Sequence, residues 1–344
     1  MGIEPGERKD YMGLPHTVFT LSCFAICHIG AVYVGLNPLY SADRLAGQCV
    51  DRGLKAIVTF DEPGPLAKSL QIRERISRPV PLLVGSFTQG PREAIALQEP
   101  EMASFLQTIP DLLTAGGSVD RTTFDPVAQP AVLQFTGGTT GTPKAAVLTN
   151  YTLLVNSAQM VSWYSQLEPG REVMLSAAPA THAGGIEPVQ NFTMQPAEEL
   201  VSLPHFDPMN ALELVEERQI TILLLAPTMA IALLKAPGER PIDWSGMKCV
   251  QCGARPVPAE LKEIILEATD HWITTLYGMS ETARAVDYSP PERTHAQCTD
   301  VRLPFTELET RKTDDPRQRA AVSEICLRGP LVMKEYSRNP EASE

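Results

Sequence analysis

From residue 136 to 146 the chain reads TGGTTGTPKAA, a run of glycine and threonine carrying one lysine. Gly137, Gly138 and Gly141 allow the backbone to turn successive amides toward a single anion. Thr136, Thr139 and Thr140 add hydroxyl donors, and Lys144 adds a full positive charge. These are suitable parts for the β- and γ-phosphates of a nucleotide. The segment is not a Walker loop, because no Gly-Lys-Ser/Thr occurs and the lysine follows a proline. On residue types alone, a polar hairpin without a ligand explains it equally well.

Other residues able to do chemistry lie further along. PATHAGG (179–185) holds His182, CGARP (252–256) holds Arg255, and LYGMSET (276–282) holds Tyr277, Ser280 and Glu281. Taken singly, His182 reads as a polar turn residue, Tyr277 as half-buried packing and Glu281 as a solvated acid. Seven cysteines are scattered through mostly apolar sequence with a single CxxC pair, Cys249 and Cys252, and no second pair to complete a tight zinc knuckle. Cys23 and Cys27 lie four apart on a predicted helix and are read as buried thiols of a reduced cytosol.

The elements that position these residues follow from the wider pattern. A length of 344 residues implies two or three lobes, and 43% hydrophobic with 20% charged content describes a soluble globular chain. A net charge of −12 with no Lys/Arg run excludes a general nucleic-acid surface, so an anionic ligand must be held locally. The charged, turn-rich start is no signal peptide, and a cytoplasmic location is expected. Residues 18–36 carry no formal charge, but polar interruptions favour a buried helix followed by a strand over a membrane span. Ser41 is placed as the cap of a helix through Leu45 and Cys49, before strands at 55–60 and 81–85. Strands at 131–135 and 144–149 flank the glycine-threonine segment, with a helix after Asn150. Asp207 caps a helix whose Met209, Leu212 and Val215 are expected to face one way, and Ile220–Leu225 is a buried strand. Pro258 opens another helix, and a strand from Ile273 ends at Tyr277-Gly278. Single helices between strands imply βαβ units, an α/β fold with largely parallel sheets, and ligands at the carboxyl ends of strands.

LQFTGGTTGTPKAAVLTN closely resembles the signature loop of the adenylate-forming (AMP-binding) enzymes, its opening most like the fatty-acyl-CoA ligase branch. The other motifs follow in that family's order, and the resemblance covers essentially the whole chain. It implies layered αβα subdomains and a small β-rich lobe: 1–125 as a first subdomain, 126–285 binding ATP and acid, and 286–344 as the lobe. It implies ATP, magnesium and coenzyme A, with a carboxylic acid, fatty or aryl, as substrate. Residue by residue, Gly253, Ala254 and Arg255 would lie against adenine, Tyr277 would stack on it, and Gly278 and Met279 would shape that turn. Ser280 would reach the α-phosphate, Glu281 would hold magnesium, and the 136–144 loop would bind phosphate. His182 would meet the acyl carboxylate, and Gly184 and Gly185 would leave room for the acyl chain. Thr228, Met229 and Ala232 are candidates for the pocket wall, although ordinary helix packing explains them equally well.

The pattern also departs from the family. Thr181 replaces an aromatic residue, Ala145 a glycine, and Ser323 and Glu335 differ at the family's last element here, around EICLRGPLVMKEYSRNPEAS (324–343). GERKDYMG is poor in apolar residues where the family places a buried strand, and 185–206 is shorter and more polar than usual. The family's ribose-binding aspartate and late lysine would fall beyond Glu344, so a domain incomplete at both ends, binding nucleotide but adenylating slowly, is expected. Two alternatives stay open at this stage: a degenerate nucleotide-binding scaffold, and an amino-acid adenylation domain, which PATHAGGIE disfavours by lacking an aspartate.

Overall fold

A computed structural model describes residues 8–12, 16–77, 80–85, 114–116, 123–136, 144–179, 181–238, 240–271, 273–289, 301–312 and 323–344. By internal contacts these fall into two compact units, one of 1–150 with 179–185 and 335–344, the other of 151–178 with 186–334.

The first unit alternates Arg8–Met12 (β1), Thr17–His28 (α1), Val32–Leu36 (β2), Ala42–Arg52 (α2), Ile57–Phe60 (β3), Pro63–Arg75 (α3) and Leu82–Gly85 (β4). Pro130–Phe135 (β5) and Ala145–Thr149 (β6) then flank the glycine-threonine segment. The helix–strand pair expected at 18–36 is present as α1 and β2. Among the described residues no helix is long and apolar enough to cross a membrane. Cys27 Sγ lies 3.8 Å from the Ala131 carbonyl. Its pairing with Cys23, then burial, raises the Cys27 thiol well above its usual range and keeps it protonated.

Local chemistry sets the helix ends. Ser41 Oγ accepts the Arg44 amide at 3.3 Å, and Gly53 closes α2 with a left-handed φ of 66°. Leu36, Leu45, Cys49, Ile57, Ile72 and Leu82 form one core of this unit, each large side chain adding roughly 1.5–3 kcal/mol. Although RKDYM reads poorly as a buried strand, β1 pairs in parallel with both β2 and β3. The backbone ladder on both sides outweighs weak side-chain propensity.

The second unit holds Asn150–Trp163 (α4) from Tyr151 on, Val173–Ser176 (β7), Glu199–Ser202 (β8), Pro208–Glu217 (α5), Ile222–Leu225 (β9) and Pro227–Lys235 (α6). Cys249–Gly253 (β10), Ala259–Thr269 (α7), Ile273–Tyr277 (β11), Asp287–Tyr288 (β12), Val301–Arg302 (β13), Glu307–Lys312 (β14) and Ser323–Arg328 (β15) follow. Glu335–Tyr336 (β16) returns to the first unit and pairs with β6. The two seven-stranded sheets run β16-β6-β5-β2-β1-β3-β4 and β13-β12-β11-β10-β9-β7-β8, while β14 and β15 form an antiparallel ribbon. Alternation along β9 sends Leu223 and Leu225 into a core with Leu212, Val215, Leu233 and Leu261. Ile222 and Leu224 enter another core with Met160, Tyr164, Phe192 and Tyr288. A sheet buried on both faces by helices is the α/β plan expected from the sequence.

Asp207 Oδ1 accepts the Asn210 amide at 2.8 Å and Pro208 begins α5, as expected. Met209 is a correction: it is 39% exposed, and Ala211 joins Leu212 and Val215 on the buried face. Successive i+3 steps drift about 60° around a helix, so a 209–212–215 row is too wide for one narrow inward face.

At the amino ends of β7, β8 and β10, Lys248 Nζ lies 2.8 Å from the buried Glu172 carboxylate. Burial pushes Glu172 upward, but the Glu168 amide and Lys248 outweigh it and hold the carboxyl below its usual range. Burial, then repulsion from Glu172, pushes Glu198 up to about 7. Because the folded protein binds the Glu198 proton more tightly than the unfolded chain, its contribution is full below the ordinary carboxylate range. That contribution is lost as pH rises through about 7. Glu198→Gln is therefore expected to raise Tm at pH 8 while leaving Tm at pH 4.5 unchanged, as read by thermal denaturation across pH.

Candidate nucleotide and acid site

In the first unit, β5 ends just before Thr136 and β6 begins after Lys144, and the Thr136 amide donates to the Lys144 carbonyl at 2.8 Å. This bond closes the mouth of the glycine-threonine loop. Gly137, Gly138, Thr139, Thr140 and Gly141 lie outside the described residues. Lys144 is exposed, and its Nζ stands 4.8 Å from the centre of the Tyr336 ring, a cation–π contact that orients the ammonium group. Tyr336 reaches it because β16 pairs antiparallel with β6, Tyr336 opposite Ala146.

The 179–185 turn packs on the neighbouring strand ends. Gln134 Nε2 donates to the Thr181 carbonyl at 3.2 Å. A Cβ on Gly35 would lie only 3.0 Å from Thr181 Cα. The His182 amide donates to the Pro179 carbonyl at 3.0 Å and the Gly185 amide to the His182 carbonyl at 2.8 Å. His182 Nδ1 accepts the Gly184 amide at 3.0 Å. A ring accepting at Nδ1 carries its neutral-state proton on Nε2, where it can donate to a carboxylate. Thr136, Lys144 and His182 are thus brought together at the carboxyl ends of β2 and β5. Gly184 and Gly185 are buried in the short helical turn that follows.

In the second unit, β10 and β11 are parallel neighbours with Gly253 opposite Leu276. The exposed Ala254–Pro256 turn and the half-buried Tyr277 therefore leave adjacent strand ends side by side. Two small residues are sterically required here. A Cβ on Gly253 would meet Leu276 Cγ at 2.6 Å, and one on Gly278 would stand 1.1 Å from the Arg284 carbonyl oxygen. Ala254 adopts a left-handed φ of 67°. Burial, then the charge of Asp287, raises the Tyr277 phenol above its usual range, so the ring is neutral.

Ser280–Thr282 forms one 3₁₀ turn, capped by Thr282 Oγ1 donating to the Met279 carbonyl at 3.1 Å. The Met333 amide donates to the Glu281 carbonyl at 2.7 Å, fixing that residue's backbone. Among the described residues no three His, Cys, Asp or Glu side chains gather as a metal cage. One half-buried carboxylate, Glu281, still suits magnesium, which keeps waters and phosphate oxygens in most of its shell. Thr228 is exposed at the start of α6, and Met229 packs against the core containing Leu212 and Leu233.

Sequence reasoning missed the supporting residues. Asn156 Nδ2 donates to the Ala285 carbonyl at 2.7 Å and its Oδ1 accepts the Ala285 amide, holding the chain that returns from the Glu281 turn. An asparagine buried within the apolar run TLLVNSAQM was the available signal. Tyr336 and Gln134 gave no comparable cue.

The arrangement is matched by known proteins. The family model described as AMP-binding enzyme matches residues 1–337. A long-chain-fatty-acid–CoA ligase of Bacillus subtilis (strain 168) is 28% identical across 99% of this chain and 63% of its own length. 4-Coumarate–CoA ligase 3 of Arabidopsis thaliana is 28% identical across 100% of this chain and 60% of its own. The chain thus spans less than two thirds of these curated relatives. A solved long-chain-fatty-acid-CoA ligase from Archaeoglobus fulgidus shares the fold at a TM-score of 0.84, with 21% identity over 100% of this chain and 67% of that one. With its strand-end turns and a family match over nearly its full length, this chain belongs to the AMP-binding enzymes.

Proposed function

We propose that this chain supplies the nucleotide- and acid-binding part of an AMP-forming carboxylate–CoA ligase. In this reading a fatty or aryl carboxylic acid attacks the α-phosphorus of ATP, pyrophosphate leaves, and the acyl-adenylate passes its acyl group to the thiol of coenzyme A. The observation that carries the reading is the Gly253–Arg255 turn beside Tyr277 on adjacent parallel strand ends. One flat, neutral ring next to a turn whose first residue, Gly253, has no room for a Cβ suits a purine base.

The other roles follow from residue chemistry. Thr136, the glycine-threonine loop and Lys144 neutralise the β- and γ-phosphates, and Ser280 donates to the α-phosphate. Glu281 holds magnesium, which when bound offsets charge on the phosphoryl oxygens. His182 donates from Nε2 to the acid's carboxylate, lowering the repulsion as two anions approach. Gly184, Gly185, Thr228 and Met229 border the acyl chain. The reading places the protein in the cytoplasm, a compartment that keeps cysteines such as Cys23 and Cys27 as thiols.

Two measurements test this. Purified protein with ATP, magnesium, labelled pyrophosphate and a panel of carboxylic acids is expected to show acid-dependent ATP–pyrophosphate exchange. Lys144→Ala should lower that exchange about a hundredfold or more. No exchange with any acid, together with an acyl-sulfamate mimic of the adenylate binding no tighter than AMP, would overturn the reading. Separately, Tyr277→Ala is expected to weaken ATP binding about three- to tenfold in calorimetry, with Tyr277→Phe close to wild type. An unchanged Kd in the alanine variant removes Tyr277 from the adenine site.

A further inference from the structure

Lys144 is exposed and carries its charge at the end of a flexible four-carbon stem, so its backbone position alone does not fix its ammonium group. The strand beside it supplies what the stem lacks. Tyr336 lies opposite Ala146 in the antiparallel pair of β16 and β6. The Thr136–Lys144 bond extends the β5–β6 ladder to Lys144, two residues before Ala146. Residues directly opposite, or two apart on one strand, share a sheet face, so Tyr336, Ala146 and Lys144 point the same way. Ala146 is fully buried and short, which leaves room for the Tyr336 ring to meet its diagonal neighbour, with Lys144 Nζ 4.8 Å from the ring centre. Gln134, opposite Ala146 on the other side, belongs to this face too, and its side chain donates to the Thr181 carbonyl. The face that carries Lys144 and Tyr336 is therefore the one on which the His182 turn packs.

A strand of two residues, Glu335–Tyr336, gives little hold by itself. Here its neighbours are clamped from several directions. The Tyr336 amide donates to Ser343 Oγ at 2.9 Å, and the Ser337 amide to the Ala145 carbonyl at 2.8 Å. On the opposite face, Arg52 Nη1 donates to the Ser337 carbonyl at 3.0 Å and to its hydroxyl at 3.1 Å. The same guanidinium stands 5.7 Å from the centre of the Phe135 ring, at the end of β5. Arg338 Nη1 donates to the Asp51 carbonyl, so the end of α2 clips the residues that follow Tyr336. The ring is thereby given a fixed place beside a side chain that has none of its own.

We infer that Tyr336 is a positioning residue for phosphate recognition: its ring keeps the Lys144 ammonium on the His182 face, ready for the β- and γ-phosphates of a nucleotide. It acts on the anion only through Lys144. The inference rests on the ligase reading, and it makes triphosphate binding depend on a residue far in sequence from the glycine-threonine loop. AMP lacks the two phosphates assigned to Lys144, so ATP feels Tyr336 and AMP does not.

The test is calorimetric binding of a non-hydrolysable ATP analogue and of AMP to the purified chain. Tyr336→Leu is expected to weaken the ATP analogue about two- to fivefold, the scale of an exposed cation–π pair, while the Kd for AMP stays the same. Tyr336→Phe keeps the ring face and should match wild type. Tyr336→pentafluorophenylalanine keeps the shape but removes the negative face, and should match the leucine variant. Because its packing is nearly unchanged, the fluorinated variant carries the test if the leucine variant fails to fold. In a Lys144→Ala background, Tyr336→Leu should cause no further loss. Unchanged affinity for the ATP analogue in the leucine or fluorinated variant overturns the inference. So does an equal loss for both nucleotides, or a loss that persists without Lys144, since either marks a merely structural role. These outcomes leave the ligase reading standing. A wild type that binds neither nucleotide ends the ligase reading and the inference together.

Discussion

The closest constraint in the second unit is the backbone contact of Gly278 with Arg284. A Cβ on Gly278 would stand 1.1 Å from the Arg284 carbonyl oxygen, so the chain can fold back there only without a side chain. That approach lets β12 return antiparallel to β11 with Tyr277 opposite Asp287. The intervening residues must then reverse direction within a few positions. Ala283 and Arg284 do so at positive φ values of 55° and 136°, conformations that cost about 1–3 kcal/mol each. The Thr282 cap, the two Asn156 hydrogen bonds and the Met333–Glu281 bond offset that strain. The same reversal that places Tyr277, Ser280 and Glu281 at one strand end turns the Arg284 side chain inward.

The first unit meets its requirement by hydrogen bonding. The Thr136–Lys144 bond closes a loop whose own residues have few apolar anchors, and Gln134 ties the strand before it to the His182 turn. A chain with a net charge of −12 cannot attract an anion through its overall field. In the proposed reading, Lys144 with Tyr336 at its side and His182 Nε2 act on the anion locally, over a short range.

Much of the fold was legible because it rests on local chemistry. Ser41, Asp207 and Pro208 announce helix starts, and ILLL along β9 announces a strand buried on both faces. Motif order carried the family, which no single residue could have done. What escaped the sequence depends on tertiary surroundings. β1 gains its place from the ladders on either side of it, and Met209 loses its place to the narrow inward arc of α5. Lys144 and Tyr336 meet only through the pairing of β16 with β6. Arg284 and Gln251 look ordinary in ARAVDY and KCVQC; their burial is visible only in three dimensions.

The central claim is that the strand ends of β10 and β11 hold an adenine base. Photolabelling with an azido-adenine analogue of ATP, followed by peptide mapping, addresses it most directly. The account predicts that label concentrates on residues 252–256 and 276–282 and disappears when excess ATP is present. Label that falls mainly elsewhere, or that ATP does not displace, contradicts it.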